Sequence, residues 1–355
     1  MKALKASVCV AVTALAVSLS VIVPSYAEQD DSAVGQTTPG LGSARINQGE
    51  PSVEGAGLAL LRRAFASRLD QEFKELYRAG KYAAALPLAQ QLLAIREKEF
   101  GPDDARVAMA LNDLGTIHYN LGQYAVAEPL YKRSLAIKEK TLGPDHAEVA
   151  SVLNNLGDLY RTERRFAEAE PLLKQSIAIR EKTVGSDDPE IVVALSNLAT
   201  LYSNLGQYDK AEPLFKRGLA VLEKAHGPSD PSATVLMNNL ADVHTNRHRY
   251  ADAERLLERS IAVTEKAFGP DHPDVAQALN NLAAVYAREG RSADAERFFK
   301  RSVATFEKTL GPNHPDLADI LENLARLYKD HGRYADADAL FKRSMAIRAK
   351  AGSPS

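Results

Sequence analysis

Glycine recurs along this chain with a period of 42 residues, and this period constrains the fold more than any other feature. The glycines stand at Gly101, Gly143, Gly185, Gly227, Gly269 and Gly311. Alanine recurs with the same period at Ala85, Ala127, Ala169, Ala211, Ala253, Ala295 and Ala337. A fixed period of roughly 20–50 residues is the signature of a stacked repeat architecture. The chain is therefore predicted to be an array of similar units.

Each unit is predicted to contain two helices. In the unit that begins at Gly101, the hydrophobic spacing indicates a first helix over about 107–121 and a second over about 124–142, with a break at Gly122. The segment Gly143-Pro144-Asp145-His146, repeated with small changes in other units, combines helix stop and start signals. Seven hairpins fit, over 58–100, 101–142, 143–184, 185–226, 227–268, 269–310 and 311–350. A short tail of 351–355 remains.

The first helices carry an apolar stripe that one hairpin cannot bury by itself. Its central column is Leu114, Leu156, Leu198, Leu240, Leu282 and Leu324, and a neighbouring column holds Tyr160, Tyr202, Tyr286 and Tyr328. At about 100° per residue these columns gather on one arc of the helix. Stacking the hairpins would bury the stripes against one another, so the predicted fold class is all-α.

Several of these residues stand at the spacing of a known repeat signature. They are Leu114, Gly115, Gly122, Tyr124, Ala127 and Tyr131. Together with the Leu279-Asn280-Asn281-Leu282-Ala283 segment, the Gly-Pro-Asp-His-Pro linkers and the 42-residue period, they make 60–350 resemble the tetratricopeptide repeats (TPR) of the kinesin-light-chain type. The resemblance implies a right-handed α-solenoid of about seven repeats that serves as a scaffold for protein partners. It implies no particular partner, because one fold supports many functions.

The polar arc of the first helices is the candidate binding site. It contains Asn112, Asp113, Asn154, Asn155, Asp158, Arg161, Asn197, Asn238, Asn239, Asp242, Asn280, Asn281 and Asn323. In proteins of this type the first helices line a concave groove, so the resemblance places this asparagine ladder there. An amide can donate and accept at once, which suits the backbone of an extended peptide. The alternative is that the asparagines bond to one another and only set the stacking of repeats.

The other polar patterns favour neither catalysis nor metal or nucleic-acid binding. His244 and His248 are four residues apart, but His244 falls in the buried tyrosine column and His248 at the break position. His146, His272 and His314 recur once per repeat in the linkers and are predicted to cap helices. The basic pairs that begin at Lys132, Lys216, Lys300 and Lys342 resemble a nucleic-acid stripe. Glutamates four residues before Lys132, Lys174, Lys216 and Lys300 instead indicate ion pairs on a solvated face, and no catalytic motif or cofactor site is found.

The N-terminal 27 residues resemble a secretory signal peptide. Lys2 and Lys5 precede an apolar stretch over 8–23, and small residues end the segment at Ala27. The alternative is an uncleaved anchor, although about 16 apolar residues are short for a ~30 Å hydrocarbon core. Cys9, the only cysteine, lies within this segment. Residues 28–57, rich in Gly, Ser, Pro and Gln, are predicted to be a disordered lead-in.

The predicted function is that of an exported scaffold, periplasmic or secreted, which binds a protein or extended peptide in the groove. A formal net charge of −2 gives no global attraction to nucleic acid, and no membrane insertion is expected after cleavage. The alternative is a structural unit that associates end to end. The array ends soon after Lys350, which would leave Leu340, Phe341 and Met345 partly exposed and favour weak self-association.

Overall fold

The computed structural model describes the backbone of residues 53–351 and the side chains of 66–350. The predicted signal peptide (1–27), the lead-in up to residue 52 and the end of the tail lie outside the described residues. The helices within the described range are α1 Val53–Arg78, α2 Tyr82–Phe100, α3 Ala105–Asn120, α4 Tyr124–Leu142, α5 Ala147–Thr162, α6 Phe166–Thr183, α7 Val192–Asn204, α8 Tyr208–His226, α9 Thr234–Asn246, α10 Tyr250–Phe268, α11 Pro273–Glu289, α12 Ser292–Leu310, α13 Leu317–Asp330 and α14 Tyr334–Ala351. Short 3-10 turns, Pro189–Ile191 and Pro231–Ala233, precede α7 and α9.

These helices confirm the predicted all-α repeat pattern, and no strand occurs between residues 53 and 351. The unit that begins at Gly101 has its second helix at Tyr124–Leu142, as predicted, and its first helix at Ala105–Asn120. Helix α1 begins at Val53, upstream of the start at 58 that composition predicted.

The linker signals act as the sequence indicated. The glycines that end the second helices have positive φ angles, 87° at Gly143 for example, which side chains other than glycine rarely adopt. His146 Nδ1 then accepts a hydrogen bond from the backbone N–H of Glu148 at 3.2 Å. His272 accepts an equivalent bond from the N–H of Asp274, so His146 and His272 are helix caps, as predicted. His314 accepts from the N–H of Asp316, but within the turn before α13, whose N-terminal cap is Asp316, so the prediction of a helix cap at His314 is wrong.

The described helices form two compact units, 53–165 and 166–351. In the first unit each helix packs on the next along the chain, and the first helices α3 and α5 also contact each other. In the second unit the same pattern links α7, α9, α11 and α13.

The predicted core columns are buried in both units. Leu114 and Leu156 are no more than 5% exposed, and so are Leu198, Leu240, Leu282 and Leu324. The tyrosine column is also buried, and most of the recurring alanines are fully inaccessible to solvent. Packing without cavities at these positions explains why small alanines recur where two helices meet closely.

Candidate functional site

Each first helix presents one partly exposed face to solvent. On α5 this face contains Ser151, Asn155, Asp158 and Thr162, whose spacing of three or four residues places them on one side of the helix. On α11 the equivalent positions are Gln277, Asn281, Ala284 and Arg288. We call this stripe the polar face of the first helices.

The predicted site residues lie on or beside this face. Asn154 and Asn280 are buried, with exposed fractions of 9% and 4%. The following residues are half-buried: Asn112, Asp113, Asn155, Asp158, Arg161, Asn197, Asn238, Asn239, Asp242, Asn281 and Asn323. Their amides and carboxylates are therefore partly shielded from water. In such a shielded environment hydrogen bonds are stronger, and polar atoms without a partner cost more free energy.

Two asparagine pairs connect first helices of successive repeats. Asn155 donates from Nδ2 to Asn112 Oδ1 at 3.0 Å in the first unit. Asn323 donates in the same way to Asn280 at 3.1 Å in the second unit. We call each such bond between asparagines 43 residues apart a rung. These two rungs are the inter-repeat bonds that the stacking interpretation of the ladder requires.

The equivalent pair Asn238 and Asn281 forms no rung. Asn281 Oδ1 instead accepts a hydrogen bond at 3.1 Å from Nε2 of Gln277, one turn earlier on the same helix. Asn238 Oδ1 is buried and has no hydrogen-bond partner among the described residues. A buried, unsatisfied carbonyl costs about 1–3 kcal/mol, so an incoming N–H donor would be stabilised here.

Asp158 is held by three neighbours in the first unit. Its carboxylate accepts from the Tyr119 hydroxyl at 2.7 Å and from Arg161 Nε at 2.8 Å. Burial and the charge of Asp158 raise the pKa of Tyr119 above its usual value, so the phenol remains a donor. Thr162 Oγ1 lies 3.0 Å from the same hydroxyl. This cluster fixes the orientation of Asp158 and Arg161 before any ligand binds.

Asp113 occupies a different electrostatic environment. Removal from water raises the pKa of its carboxyl to about 6, and the charges of Arg96 and Lys138 only partly offset that effect. The pKa of Asp113 therefore brings the change in its protonation closer to neutral pH than is usual for an aspartate.

Asp242 is part of a polar network in the second unit. Asn246 donates from Nδ2 to its carboxylate at 3.0 Å, and Arg288 donates to Asn246 Oδ1 at 2.8 Å. Burial raises the pKa of Asp242, while the Arg288 charge acts in the opposite direction. Sequence reasoning missed Asn246 and Arg288, although both lie two turns beyond the asparagines on the same helical face.

The basic column of the second helices is an outer, ion-paired surface, as predicted. Lys132 pairs with Glu128 at 2.6 Å, and the same i,i+4 pair recurs at Lys174, Lys216 and Lys300. The lysine side chains remain more than half exposed. Across the described range, no group of three His, Cys, Asp or Glu side chains could hold a metal ion.

A second inter-repeat contact was not predicted. The Tyr160 hydroxyl donates to Glu128 at 2.9 Å, and the Arg165 guanidinium lies 3.9 Å from the centre of the tyrosine ring. The signal was a glutamate 32 residues before each tyrosine, which is visible only when successive repeats are aligned.

Comparison with known proteins agrees with the fold and the repeat length. A tetratricopeptide repeat model matches in overlapping blocks, 76–140, 106–182, 148–224, 190–254, 231–308 and 274–350. No curated protein matches the chain significantly. No helix within 53–351 is long and apolar enough to cross a membrane.

Solved structures with similar folds include repeats of the kinesin-light-chain type. One is a Podospora anserina protein assigned as a kinesin light chain, whose TPR-like repeats are nearly identical to one another. It is 26% identical to this chain, with a TM-score of 0.51 over 59% of this chain and 97% of that one. BtubC (BKLC) from P. vanneervenii is 23% identical, with a TM-score of 0.53 over 66% and 93%. RapI in its apo form is 14% identical, with a TM-score of 0.63 over 80% and 98%.

Members of the matching repeat family generally act as non-enzymatic scaffolds that mediate protein–protein interaction. The predicted resemblance to kinesin-light-chain repeats is confirmed by the structural neighbours. The chain belongs to the tetratricopeptide repeat family and has its all-α solenoid fold.

Proposed function

We propose that this protein is an exported, non-catalytic scaffold that binds a protein or an extended peptide along the polar face of its first helices. The face would form the concave groove that the family resemblance implies. The partner would lie with its backbone against the asparagine amides. The unpaired Asn238 Oδ1 carries the proposal, because a buried acceptor that the fold leaves unsatisfied favours a donor from outside.

The rungs supply a matched control for this proposal. Asn155 and Asn238 are the same residue type in neighbouring columns of the first helices, but Asn155 donates across a rung and Asn238 Oδ1 has no hydrogen-bond partner among the described residues. Asn155→Ala should lower the free energy of unfolding by about 1 kcal/mol, because it leaves Asn112 Oδ1 unpaired. Asn238→Ala should leave stability unchanged or slightly higher, because alanine is the better helix former. Partner affinity of Asn238→Ala should fall about fivefold, as expected for one lost hydrogen bond of about 1 kcal/mol.

The partner needed for this test can be captured in cells. A photo-crosslinking amino acid at Val235, on the polar face, should trap proteins that the same probe at exposed Lys266 on α10 does not. Thermal unfolding and a titration with the captured protein then separate the two variants. A lower melting temperature and unchanged affinity for Asn238→Ala would contradict the proposal.

Export is the other part of the proposal. It is supported by the Lys2, Lys5 and Ala27 pattern of the N-terminal segment. The intact mass of the protein recovered outside the cytoplasm should correspond to a chain that begins at Glu28. Recovery of only the full-length chain from the membrane fraction would support the uncleaved anchor instead.

End-to-end assembly is the second candidate function. Met345 is 61% exposed and Tyr334 is 68% exposed on α14, while Leu340 and Phe341 are half-buried, as the sequence predicted for this helix. Apolar side chains grouped on one surface favour association. Light scattering should show mass increasing with concentration, and Met345→Lys should reduce the increase; a monomer at every concentration would leave no support for assembly.

A further inference from the structure

A tyrosine, a glutamate and an arginine meet at several repeat junctions of the second unit. The Tyr286 hydroxyl donates to Glu254 at 2.6 Å, and the Arg291 guanidinium lies 4.0 Å from the ring centre. At the next junction Tyr328 donates to Glu296 at 2.9 Å, beneath Arg333 at 3.7 Å. Both rings are buried at these junctions, with Tyr286 3% and Tyr328 6% exposed.

At the junction between α8 and α10 the tyrosine is replaced by His244. Arg249 still pairs with Glu212 at 2.9 Å and with Asp252 at 2.7 Å. Arg291 makes the equivalent pairs with Glu254 and Asp294. The Arg249 guanidinium therefore has ion pairs equivalent to those of Arg291, while the side chain at the tyrosine position is a smaller imidazole. Glu212 receives a bond from Arg247 at 2.9 Å in place of one from a tyrosine hydroxyl.

The replacement coincides with a cleft of about 400 Å³ at this junction. Three leucines contribute to its apolar lining, namely Leu219, Leu240 and Leu256. Its basic side chains include Lys216, Arg255 and Arg259. A volume of this size accommodates an aromatic side chain, and an apolar lining with a few polar groups is typical of binding sites.

His244 supplies an unused polar atom in this cleft. The residue lines the cleft, is 3% exposed, and its Nδ1 is buried without a hydrogen-bond partner among the described residues. Burial and the charge of Arg249 lower the pKa of His244, so the imidazole is neutral at pH 7 and Nδ1 can accept a hydrogen bond.

We propose that this cleft is a second binding site, which takes a tyrosine side chain from an acidic segment of a partner protein. The ring would lie in the cleft beside His244, against Leu219, Leu240 and Leu256. The hydroxyl would donate to Nδ1 of His244, because Glu212 is already paired. Acidic residues beside the tyrosine would meet Lys216, Arg255 and Arg259. Among the lining side chains and the adjacent Glu212 and Glu223, four cations face three carboxylates, so the balance favours an anionic segment.

The site is separate from the polar face of the first helices, so it can be tested independently. A fluorescein-labelled peptide with one tyrosine between glutamates is titrated against the full mature chain and followed by fluorescence polarisation. The same peptide with phenylalanine should bind about fivefold more weakly, because it lacks the hydroxyl donor. The peptide with alanine should bind at least tenfold more weakly than the tyrosine peptide.

His244→Tyr is the decisive variant, because it restores the residue that fills the other junctions. It should reduce binding at least tenfold while the melting temperature stays the same or rises. Arg255→Gln combined with Arg259→Gln should also weaken binding. The matched control is Arg297→Gln with Arg301→Gln one repeat later, whose arginines pair with Asp294 and Glu265 in the same way.

Several results would overturn the proposal. They are unchanged binding to His244→Tyr, equal weakening by both arginine pairs, and equal affinity for the tyrosine and alanine peptides. Binding of free 4-hydroxyphenylacetate without binding of the peptide would indicate a small-molecule site and overturn the assignment to a protein partner.

Discussion

Asp113 stands where the five following repeats carry asparagine, and this one difference changes the acid–base chemistry of the polar face. Burial raises the pKa of its carboxyl to about 6, whereas ion pairs hold the pKa of Glu128 at about 2. Both residues lie near charged groups in the first unit. The opposite shifts arise because Glu128 bonds directly to Arg165 and Lys132, while the cations near Asp113 act only over a distance.

We predict that Asp113→Asn stabilises the protein at pH 7.5 and has little effect at pH 3.5. The folded-state pKa of about 6 lies above the ordinary value of 3.8. The folded state is therefore favoured when the carboxyl is protonated, and this advantage is lost as pH rises from about 4 to 6. Chemical denaturation should give an increase of about 1–3 kcal/mol at pH 7.5.

Asn155→Asp, which places a carboxylate at the equivalent position of the next repeat, is the control for the Asp113 prediction. It should lower stability at pH 7.5. Equal stability changes for Asp113→Asn at both pH values would show that the carboxyl does not titrate between them.

Single residues also mark the limit of sequence-based prediction. The caps at His146 and His272 could be predicted, because a cap depends on neighbours within two residues. The missing rung at Asn238 could not be predicted, because it depends on whether the Asn281 amide bonds to Gln277 on its own helix or to Asn238 in the preceding repeat. That competition is decided by side-chain orientation.

At the scale of helices, the distance between α3 and α4 is set by a glycine. A Cβ atom at Gly115 would lie 2.8 Å from two ring carbons of Tyr131, which is itself 1% exposed. Gly218 on α8 differs, since a Cβ there would meet only Leu236 and Val192 side chains, at 3.4 Å and beyond. Close contact with Tyr131 thus excludes a side chain at Gly115, whereas the neighbours of Gly218 leave room for a methyl group.

We predict opposite effects for the same substitution at these two sites. Gly218→Ala should raise the free energy of unfolding by up to about 1 kcal/mol, the difference in helix propensity. Gly115→Ala should lower it by about 1–3 kcal/mol, because the added methyl group forces the buried ring to move. Urea denaturation of the two variants provides the measurement. Stabilisation by both would show that the α3–α4 contact can relax.

At the scale of the whole molecule, the 42-residue period was sufficient to predict the pairs of helices in each repeat. Most core contacts of one repeat recur in the next, so a pattern that recurs in sequence recurs in space. In the sequence, the only sign of the cleft at His244 is that a histidine interrupts the column of tyrosines. Its lining residues come from three helices, and sequence alone did not indicate that Arg249 keeps its ion pairs there.

The same repetition determines how the protein responds to acid. Ion pairs and hydrogen bonds hold the pKa values of Glu128 and Glu296 at about 2, and that of Asp104 at about 2. A lowered carboxyl pKa contributes stability above the unfolded-state value of about 4.5 for glutamate, and the contribution is lost as pH falls toward 2. Stability should therefore decrease from pH 5 to pH 2.

Glu296→Gln tests this response at one junction. The variant loses ion pairs with Lys300 and Arg333, so it should be about 1 kcal/mol less stable at pH 7. The difference should shrink below pH 3, where the wild-type carboxylate also becomes protonated, and in 1 M salt, which screens the charges. Exposed Glu258→Gln, on α10, is the control and should change stability little at any pH. A constant difference between Glu296→Gln and wild type from pH 7 to pH 2 would mean that packing, and not charge, holds this junction together.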